Sequence, residues 1–187
     1  INKEGYESLD AVLEKGMQSL DIPAFKLKLK DENILLLDTR KASVFTEGFI
    51  PGSVFIGLEG RFAEWAGSLL SFDKEILLVT EPGKERESIV RLARVGFEKF
   101  AGHLAGGFEQ WKKNGEPTDM IIDVEADELA MDMPFDPQLV IVDVRKVPEY
   151  ADGHIKEALN IPLDELIDPG SMAHLEDNHN IYVHCAG

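Results

Sequence analysis

Cysteine is almost absent from this sequence of 187 residues, and its single cysteine, Cys185, excludes an internal disulfide. A reducing cytoplasm is therefore the expected compartment. Long hydrophobic runs are also absent: the run at residues 34–37 is far shorter than the ~20 residues of a membrane-spanning helix. No signal-peptide pattern opens the sequence. The few histidines show no metal-ligand spacing, so we expect neither a metal site nor a cofactor within this chain.

Positive charge is scarce, because 19 lysines and arginines face 35 aspartates and glutamates, for a formal net charge of −16. A chain this acidic is repelled by nucleic-acid phosphates and by anionic lipid headgroups. We therefore expect neither nucleic acid nor a membrane as a partner. Hydrophobic residues make up 44% of the sequence, which is enough to form a folded core.

An internal repeat is the most informative feature of the sequence. Residues 34–58 align with residues 139–163 at an offset of 105, and the aligned pairs include Asp38 with Asp143 and Arg40 with Arg145. Each copy begins with a continuous apolar run that ends in aspartate, which is typical of a buried parallel strand. A second apolar run follows in each copy, and polar, glycine-bearing and helical stretches lie between them.

The alternation of strands and helices predicts an α/β fold with two similar domains, each a mainly parallel sheet flanked by helices. Residues 1–18 are expected to be a lead-in segment, residues 19–117 the first domain and residues 118–187 the second. The second domain is expected to be truncated, because it has no counterpart of residues 84–117, about 34 residues in the first copy.

Cys185 directly follows the last apolar run, so we expect it at the carboxyl end of a central strand, where open α/β sheets place their ligand sites. Inward-pointing amides of the following loop and a helix N-terminus would favour a thiolate there. A thiolate is a nucleophile. The competing interpretation is an inert, buried cysteine, which is a common fate of this residue type.

The order of motifs in the second copy resembles the rhodanese family, and the first copy repeats most of it. In the second copy these motifs are Asp143-Val-Arg145, Tyr150, Gly153-His154-Ile155, residues 158–162 and Cys185. The resemblance covers about residues 19–187. It implies a sulfurtransferase in which Cys185 accepts sulfane sulfur from a small anionic donor, carries it as a persulfide and passes it to a thiol acceptor. It also implies that Ala186 and Gly187 begin the anion-binding loop.

Four further residues are expected to support this site rather than to react. Asp143 and Arg145 are expected to hold the turn after their strand, because residues two apart share one face of a strand. Arg145 is expected to pair with Glu149, four residues on at the start of a helix. His154 is expected to form a structural hydrogen bond in its turn.

The first copy departs from the pattern at the nucleophile. Alignment on Gly83 places Glu81 opposite Cys185, and a shift by one residue places Thr80 there instead. Neither side chain carries sulfur, so the first domain is expected to be non-catalytic. A chain lacking the rest of the loop after Cys185 is expected to have little sulfurtransferase activity.

Three other functions remain open at this point. The lead-in segment and residues 81–97 are similar to bacterial fusions of a metallo-β-lactamase-like domain with tandem rhodanese domains, which act as persulfide dioxygenases or thioester hydrolases. Such a domain would precede this sequence. A strand ending in His184-Cys185 also opens the loop of cysteine-dependent phosphatases. A pair of non-enzymatic regulatory binding modules is the third alternative.

Overall fold

The computed structural model describes residues 7–166, residue 175 and residues 180–185. The chain divides into two compact units between Ile122 and Asp123. Among the described residues, no helix is both long and apolar enough to cross a membrane.

The first unit is built on five parallel strands in the spatial order β1-β5-β4-β2-β3. Their bounds are β1 Ser19–Leu20, β2 Ile34–Asp38, β3 Val54–Phe55, β4 Glu75–Val79 and β5 Phe100–Leu104. The central strands β2 and β4 are the apolar runs of the sequence. They are buried because helices cover both faces of a parallel sheet.

Six helices surround this sheet: α1 Leu9–Gly16, α2 Ile22–Lys28, α3 Ala42–Glu47, α4 Phe62–Leu69, α5 Glu85–Ala93 and α6 Gly107–Lys113. Two of them begin at a side-chain cap. The Ser8 hydroxyl accepts the Ala11 N–H before α1, and the Asp21 carboxylate accepts the Ala24 N–H before α2. These caps satisfy backbone donors that a helix leaves open at its first turn.

Each face of this sheet has its own hydrophobic cluster. Along β4, Ile76 and Leu78 join one cluster with Ile89 of α5, whereas Leu77 and Val79 join the other. Successive side chains of a strand point to opposite faces, so one strand supplies both clusters.

The segment expected to be a lead-in contributes to this core. Val12 of α1 is 1% exposed and belongs to the same cluster as Ile89. A Cβ atom built on Gly16 would lie only 2.8 Å from Ile89 Cδ1, so the end of α1 lies very close to α5. The His103 imidazole Nδ1 also donates to the Gly16 carbonyl at 3.2 Å. Residues 9–16 are therefore part of the first unit.

Residues on both sides of the expected end of the first domain pack on the first unit. The Trp111 indole donates to the Pro117 carbonyl at 2.8 Å. Phe49 and Asp119 form an isolated antiparallel bridge. The division between the two compact units lies between Ile122 and Asp123, five residues after the boundary expected at 117/118.

The second unit repeats the centre of the first. Its strands β6 Leu139–Asp143, β7 Leu159–Asn160 and β8 Asn180–His184 form a parallel sheet in the order β7-β6-β8. Its helices are α7 Ala126–Asp132 and α8 Val147–Asp152, with a 3₁₀ turn at Leu163–Glu165. Strands β6, β7 and β8 and helix α8 begin and end 105 residues after β2, β3, β4 and α3. The predicted α/β fold and the offset of 105 residues are both confirmed.

The two units differ in how well the repeated strand is covered. Ile181 and Val183 of β8 are 44% and 67% exposed, whereas their counterparts Ile76 and Leu78 in β4 are fully buried. The continuous apolar runs of both strands predict that each is covered on both faces. In the first unit the side chains of α1 and α5 cover this face, and no described residue does so in the second unit.

Candidate functional site

A buried ion pair marks the carboxyl end of β6. Asp143 has no exposed surface. Its Oδ2 accepts Arg145 Nη2 at 2.6 Å, and its Oδ1 accepts both Arg145 Nε at 3.0 Å and the Arg145 backbone N–H at 2.9 Å. Arg145 Nη2 also donates to the Gly153 carbonyl at 2.7 Å. The pair therefore ties the end of β6 to the end of α8.

The ion pair changes the pKa of both partners. Hydrogen bonds from Arg145 hold the pKa of Asp143 below its ordinary value, although burial acts in the opposite direction. The Asp143 carboxylate in turn raises the pKa of Arg145. Asp143 is thus an anion at neutral pH, with its oxygens committed to Arg145, and is not available as a general base.

Arg145 and Glu149 form no direct hydrogen bond or ion pair, although the charge of Glu149 contributes to raising the pKa of Arg145. The guanidinium binds Asp143 and Gly153, while the Glu149 carboxylate turns back to accept the Lys146 backbone N–H at 3.3 Å. Glu149 lies in the first turn of α8, so it serves an N–H that has no partner within the helix. The buried Asp143 carboxylate is only two residues from Arg145 and offers two oxygens in a bidentate geometry.

Aromatic and amide side chains hold the turn between α8 and β7. His154 Nδ1 donates to the Tyr150 carbonyl at 2.9 Å, and the two rings stack at 3.8 Å between centroids. The Tyr150 hydroxyl donates to the Ala158 carbonyl at 2.7 Å. Asn160 Nδ2 donates to the carbonyls of Asp143 and Arg145, each at 2.9 Å. Asn160 was not among the residues expected to support the site, and its position in the A-x-N-I-P motif of residues 158–162 is the sequence signal for it.

Cys185 is the first residue after β8 and is exposed. The neighbouring strand brings Asp143 into register with His184, and the Val144 N–H donates to the His184 carbonyl at 3.0 Å. Cys185 therefore lies at the carboxyl end of the sheet, next to the turn that Asp143 and Arg145 hold. Ala186 and Gly187, the expected beginning of the anion-binding loop, lie outside the described residues.

Comparison with protein families identifies this arrangement. A family model described as the rhodanese-like domain matches residues 22–114 and 125–187, which together exceed half of the chain. The chain belongs to the rhodanese-like family. No curated protein matches it.

Several solved structures resemble the chain. The Alr3790 protein from Anabaena sp. is 26% identical over 62% of this chain and 93% of its own, with a TM-score of 0.47. The 3-mercaptopyruvate sulfotransferase SseA from Escherichia coli is 19% identical over 89% of this chain and 87% of its own, with a TM-score of 0.48. A thiosulfate sulfurtransferase from Pseudomonas aeruginosa is 18% identical over 96% and 34%, with a TM-score of 0.42.

The first rhodanese-like unit repeats the ion pair in a more buried form. Arg40 Nη2 donates to Asp38 Oδ2 at 2.7 Å and to the Gly48 carbonyl at 2.8 Å. The Arg40 guanidinium also lies 4.2 Å from the centroid of the Phe108 ring. The structural role of the Asp-x-Arg motif is therefore the same in both units, namely to hold the strand end and the following helix together.

The strand register decides which residue of the first rhodanese-like unit corresponds to Cys185. Asp38 pairs with Val79 as Asp143 pairs with His184, so Thr80 occupies the position of Cys185. Thr80 is buried, and its carbonyl lies 3.1 Å from a Cβ built on Gly107, so α6 packs closely against it. Of the two residues left open by the sequence, the structure favours Thr80 over Glu81.

Polar groups in the loop after Thr80 form hydrogen bonds with nearby protein groups. The Gly83 N–H donates to Glu85 Oε1 at 3.2 Å, and the Ser88 hydroxyl donates to the Lys84 carbonyl at 2.9 Å. The Thr39 hydroxyl lies 3.1 Å from the Ser88 hydroxyl. An amide that could face an anion is thus occupied by the protein's own carboxylate.

The part of the chain that the structure describes contains no cluster of potential metal ligands. No group of three or more His, Cys, Asp or Glu side chains comes together there.

Proposed function

We propose that the second rhodanese-like unit transfers sulfane sulfur through a persulfide on Cys185, and that the first unit is non-catalytic. The observation that carries this proposal is the position of Cys185 directly after β8, where the Val144–His184 hydrogen bond aligns it with the turn held by Asp143 and Arg145. Membership of the rhodanese-like family supports the same chemistry.

The proposed reaction takes two displacements at sulfur. The Cys185 thiolate attacks the sulfane sulfur of thiosulfate or of a persulfide; a new S–S bond forms, and sulfite or a thiolate leaves with the electron pair of the broken bond. An acceptor thiolate then attacks the outer sulfur of the persulfide, and the Cys185 thiolate is the leaving group. The substrates are therefore a small anionic sulfur donor and a thiol acceptor.

The proposed role of the protein is electrostatic. Backbone N–H groups of the loop that begins at Ala186 and Gly187 would stabilise the persulfide anion, as amides do for oxyanions in other enzymes. In such a site, one lost donor can slow a reaction by a factor of about 100.

The test compares the given chain with a longer chain that continues past Gly187 with a segment equivalent to residues 84–117. We expect the longer chain to turn over thiosulfate or glutathione persulfide, the given chain to show little activity, and Cys185→Ser to abolish turnover. Thr80→Ser, at the matching position of the first unit, should leave turnover unchanged. Equal activity of both chains would contradict the amide argument, and turnover of an aryl phosphate alone would establish a phosphatase.

A metallo-β-lactamase-like partner domain remains a separate proposal about the longer protein. It would supply metal-dependent oxidation of persulfides or hydrolysis of thioesters from residues outside the part described here, which holds no metal-ligand cluster. The similarity of residues 81–97 to such fusions supports it. Iron content and persulfide-dependent oxygen uptake of the longer protein are the measurements that test it.

A further inference from the structure

A groove of about 410 Å³ runs along α5 of the first unit, on the opposite side of the helix from the buried Ile89 and Leu92. Its lining residues are Gly83, Arg86, Glu87, Val90, Arg91 and Arg94. Three of the six arginines in the whole chain line this one groove. In a chain with a net charge of −16, this concentration of guanidinium groups is a local exception.

The three arginines differ in their contacts with the rest of the protein. Arg91 is anchored, because its guanidinium donates to the carbonyls of Leu58 and Gly60 and lies 5.2 Å from the centroid of the Phe62 ring. The guanidiniums of Arg86 and Arg94 are exposed and form no hydrogen bond or ion pair with any described residue.

The one carboxylate in the groove, Glu87, interacts electrostatically with Arg91 but forms its ion pair with Lys84. The Glu87 carboxylate accepts Lys84 Nζ at 2.8 Å, outside the row of arginines. The groove therefore presents two uncommitted guanidiniums and one that is held in place. Guanidinium groups bind carboxylates in a bidentate geometry.

We propose that this groove binds an acidic peptide segment of a partner protein. Arg86 and Arg94 lie about 12 Å apart along the helix axis, with Arg91 between them. In an extended peptide, side chains on one face recur about every 6.6 Å, so alternate carboxylates reach successive arginines. Val90 adds an apolar contact between them.

Two other classes of ligand fit less well. A small molecule is normally enclosed on most of its surface, whereas this groove is open and is lined by residues of a single chain segment. A nucleic acid carries a phosphate on every nucleotide along its whole length, so it would meet more repulsion from the rest of this acidic molecule than a short segment with a few carboxylates. The proposal concerns the first unit and does not depend on the chemistry of Cys185.

The test uses a fluorescein-labelled peptide of eight residues that alternates glutamate and serine, and fluorescence anisotropy at low ionic strength. The double variant Arg86→Gln/Arg94→Gln should bind the peptide about tenfold more weakly, because two exposed charge pairs are lost. The matched control is Lys112→Gln/Lys113→Gln, which removes the same charge from exposed positions on α6 and should change the affinity less than about twofold. A peptide with glutamine in place of glutamate should not bind.

Two outcomes would overturn the proposal. One is that the peptide does not bind, or that both double variants lose the same affinity. An equal loss would mean that only the net charge of the protein matters. The other is displacement of the peptide by inorganic phosphate at equimolar concentration, which would indicate a small-anion site. An unchanged urea midpoint of the Arg86→Gln/Arg94→Gln protein, followed by tryptophan fluorescence, shows that the variant is folded.

Discussion

The two Asp–Arg pairs share their hydrogen bonds but differ in their contact with water. Both carboxylates are fully buried, whereas the side chain of Arg40 is 4% exposed and that of Arg145 is 17% exposed. A charge left alone in the less hydrated site is the more costly one, because desolvation is not offset by water. Loss of the arginine is therefore expected to lower the stability of the first unit more than that of the second.

Removal of Arg40 should be one of the most damaging single changes in the first unit. Arg40→Ala leaves the Asp38 carboxylate buried without its cation and the Gly48 carbonyl without this donor, so the free energy of unfolding should fall by about 3 kcal/mol. Urea unfolding followed by tryptophan fluorescence measures this, because both tryptophans, Trp65 and Trp111, lie in the first unit. Arg61→Ala removes an exposed pair with Glu64 and is the control, with little change expected. Equal effects of the two substitutions would contradict the burial argument.

The Asp143 pair should make the second unit sensitive to acid. Because Arg145 lowers the pKa of Asp143 in the folded state, the unfolded state binds more protons as the pH falls below the ordinary aspartate value of 3.8. The pair therefore contributes its full stability above that pH and loses it as the pH falls through the lowered pKa. The chemical shift of the Arg145 amide, which binds Asp143 Oδ1, should titrate with a midpoint below 3.8. A midpoint at or above 3.8 would refute this assignment.

At the scale of elements, the approach of β1 to β5 depends on one glycine. Gly102 has φ +114°, and a Cβ atom there would lie 2.6 Å from the Gln18 carbonyl oxygen. Gly102→Ala should therefore lower the free energy of unfolding by about 3 kcal/mol, through backbone strain and a clash with main chain that cannot rotate away.

A second glycine provides the control for this substitution. Gly67 lies exposed within α4, and no atom comes within 4 Å of a Cβ built there. Gly67→Ala should raise stability by about 0.5 kcal/mol, because alanine favours the helix. Urea midpoints of the two variants should move in opposite directions, and a harmless Gly102→Ala would show that β1 can shift.

Strands that could be predicted from the sequence are those with continuous apolar runs, namely β2, β4, β6 and β8. Strand β5 has Gly102 and His103 in its interior and resembles a turn when it is examined alone. The two-residue strands have no period to detect. The packing of α1 was missed for another reason: its partner Ile89 lies 73 residues beyond Gly16, and no local pattern reports such a contact.

The location of the candidate site was predictable, but its ion pairs were predictable only in part. The position of Cys185 after β8 followed from the strand pattern, because a strand leads into the site at its carboxyl end. The sequence also indicated that Asp143 and Arg145 hold the turn. It did not show that the guanidinium binds Asp143 rather than Glu149, because spacing along a helix favours Glu149, while burial of Asp143 favours the ion pair that forms. Burial is a property of the fold and is not visible in a window of six residues.

At the scale of the whole molecule, the described residues of the two units form cores of different size. The buried hydrophobic residues described in the second unit are Ile141, Val142, Ala158 and Ile161, whereas the first unit has two extended clusters. Local opening is easier where fewer apolar contacts resist it. The amide of Ile141 in β6 should therefore exchange hydrogen at least about tenfold faster than that of Leu77 in β4, measured by NMR in deuterium oxide. Equal protection of the two strands would contradict this difference.

The tryptophans and the single cysteine lie in different units, so the distance between the units can be measured by fluorescence. Both tryptophans lie in the first unit, and the exposed Cys185 is the sole thiol of the chain and lies in the second. A thiol-reactive acceptor dye would therefore attach at one position, and excitation energy from tryptophan would pass to it only from the other unit. With Trp65→Phe, Trp111 becomes the single donor, and its fluorescence lifetime reports the distance between the units in solution. Ligands of either unit could then be assayed without a second label.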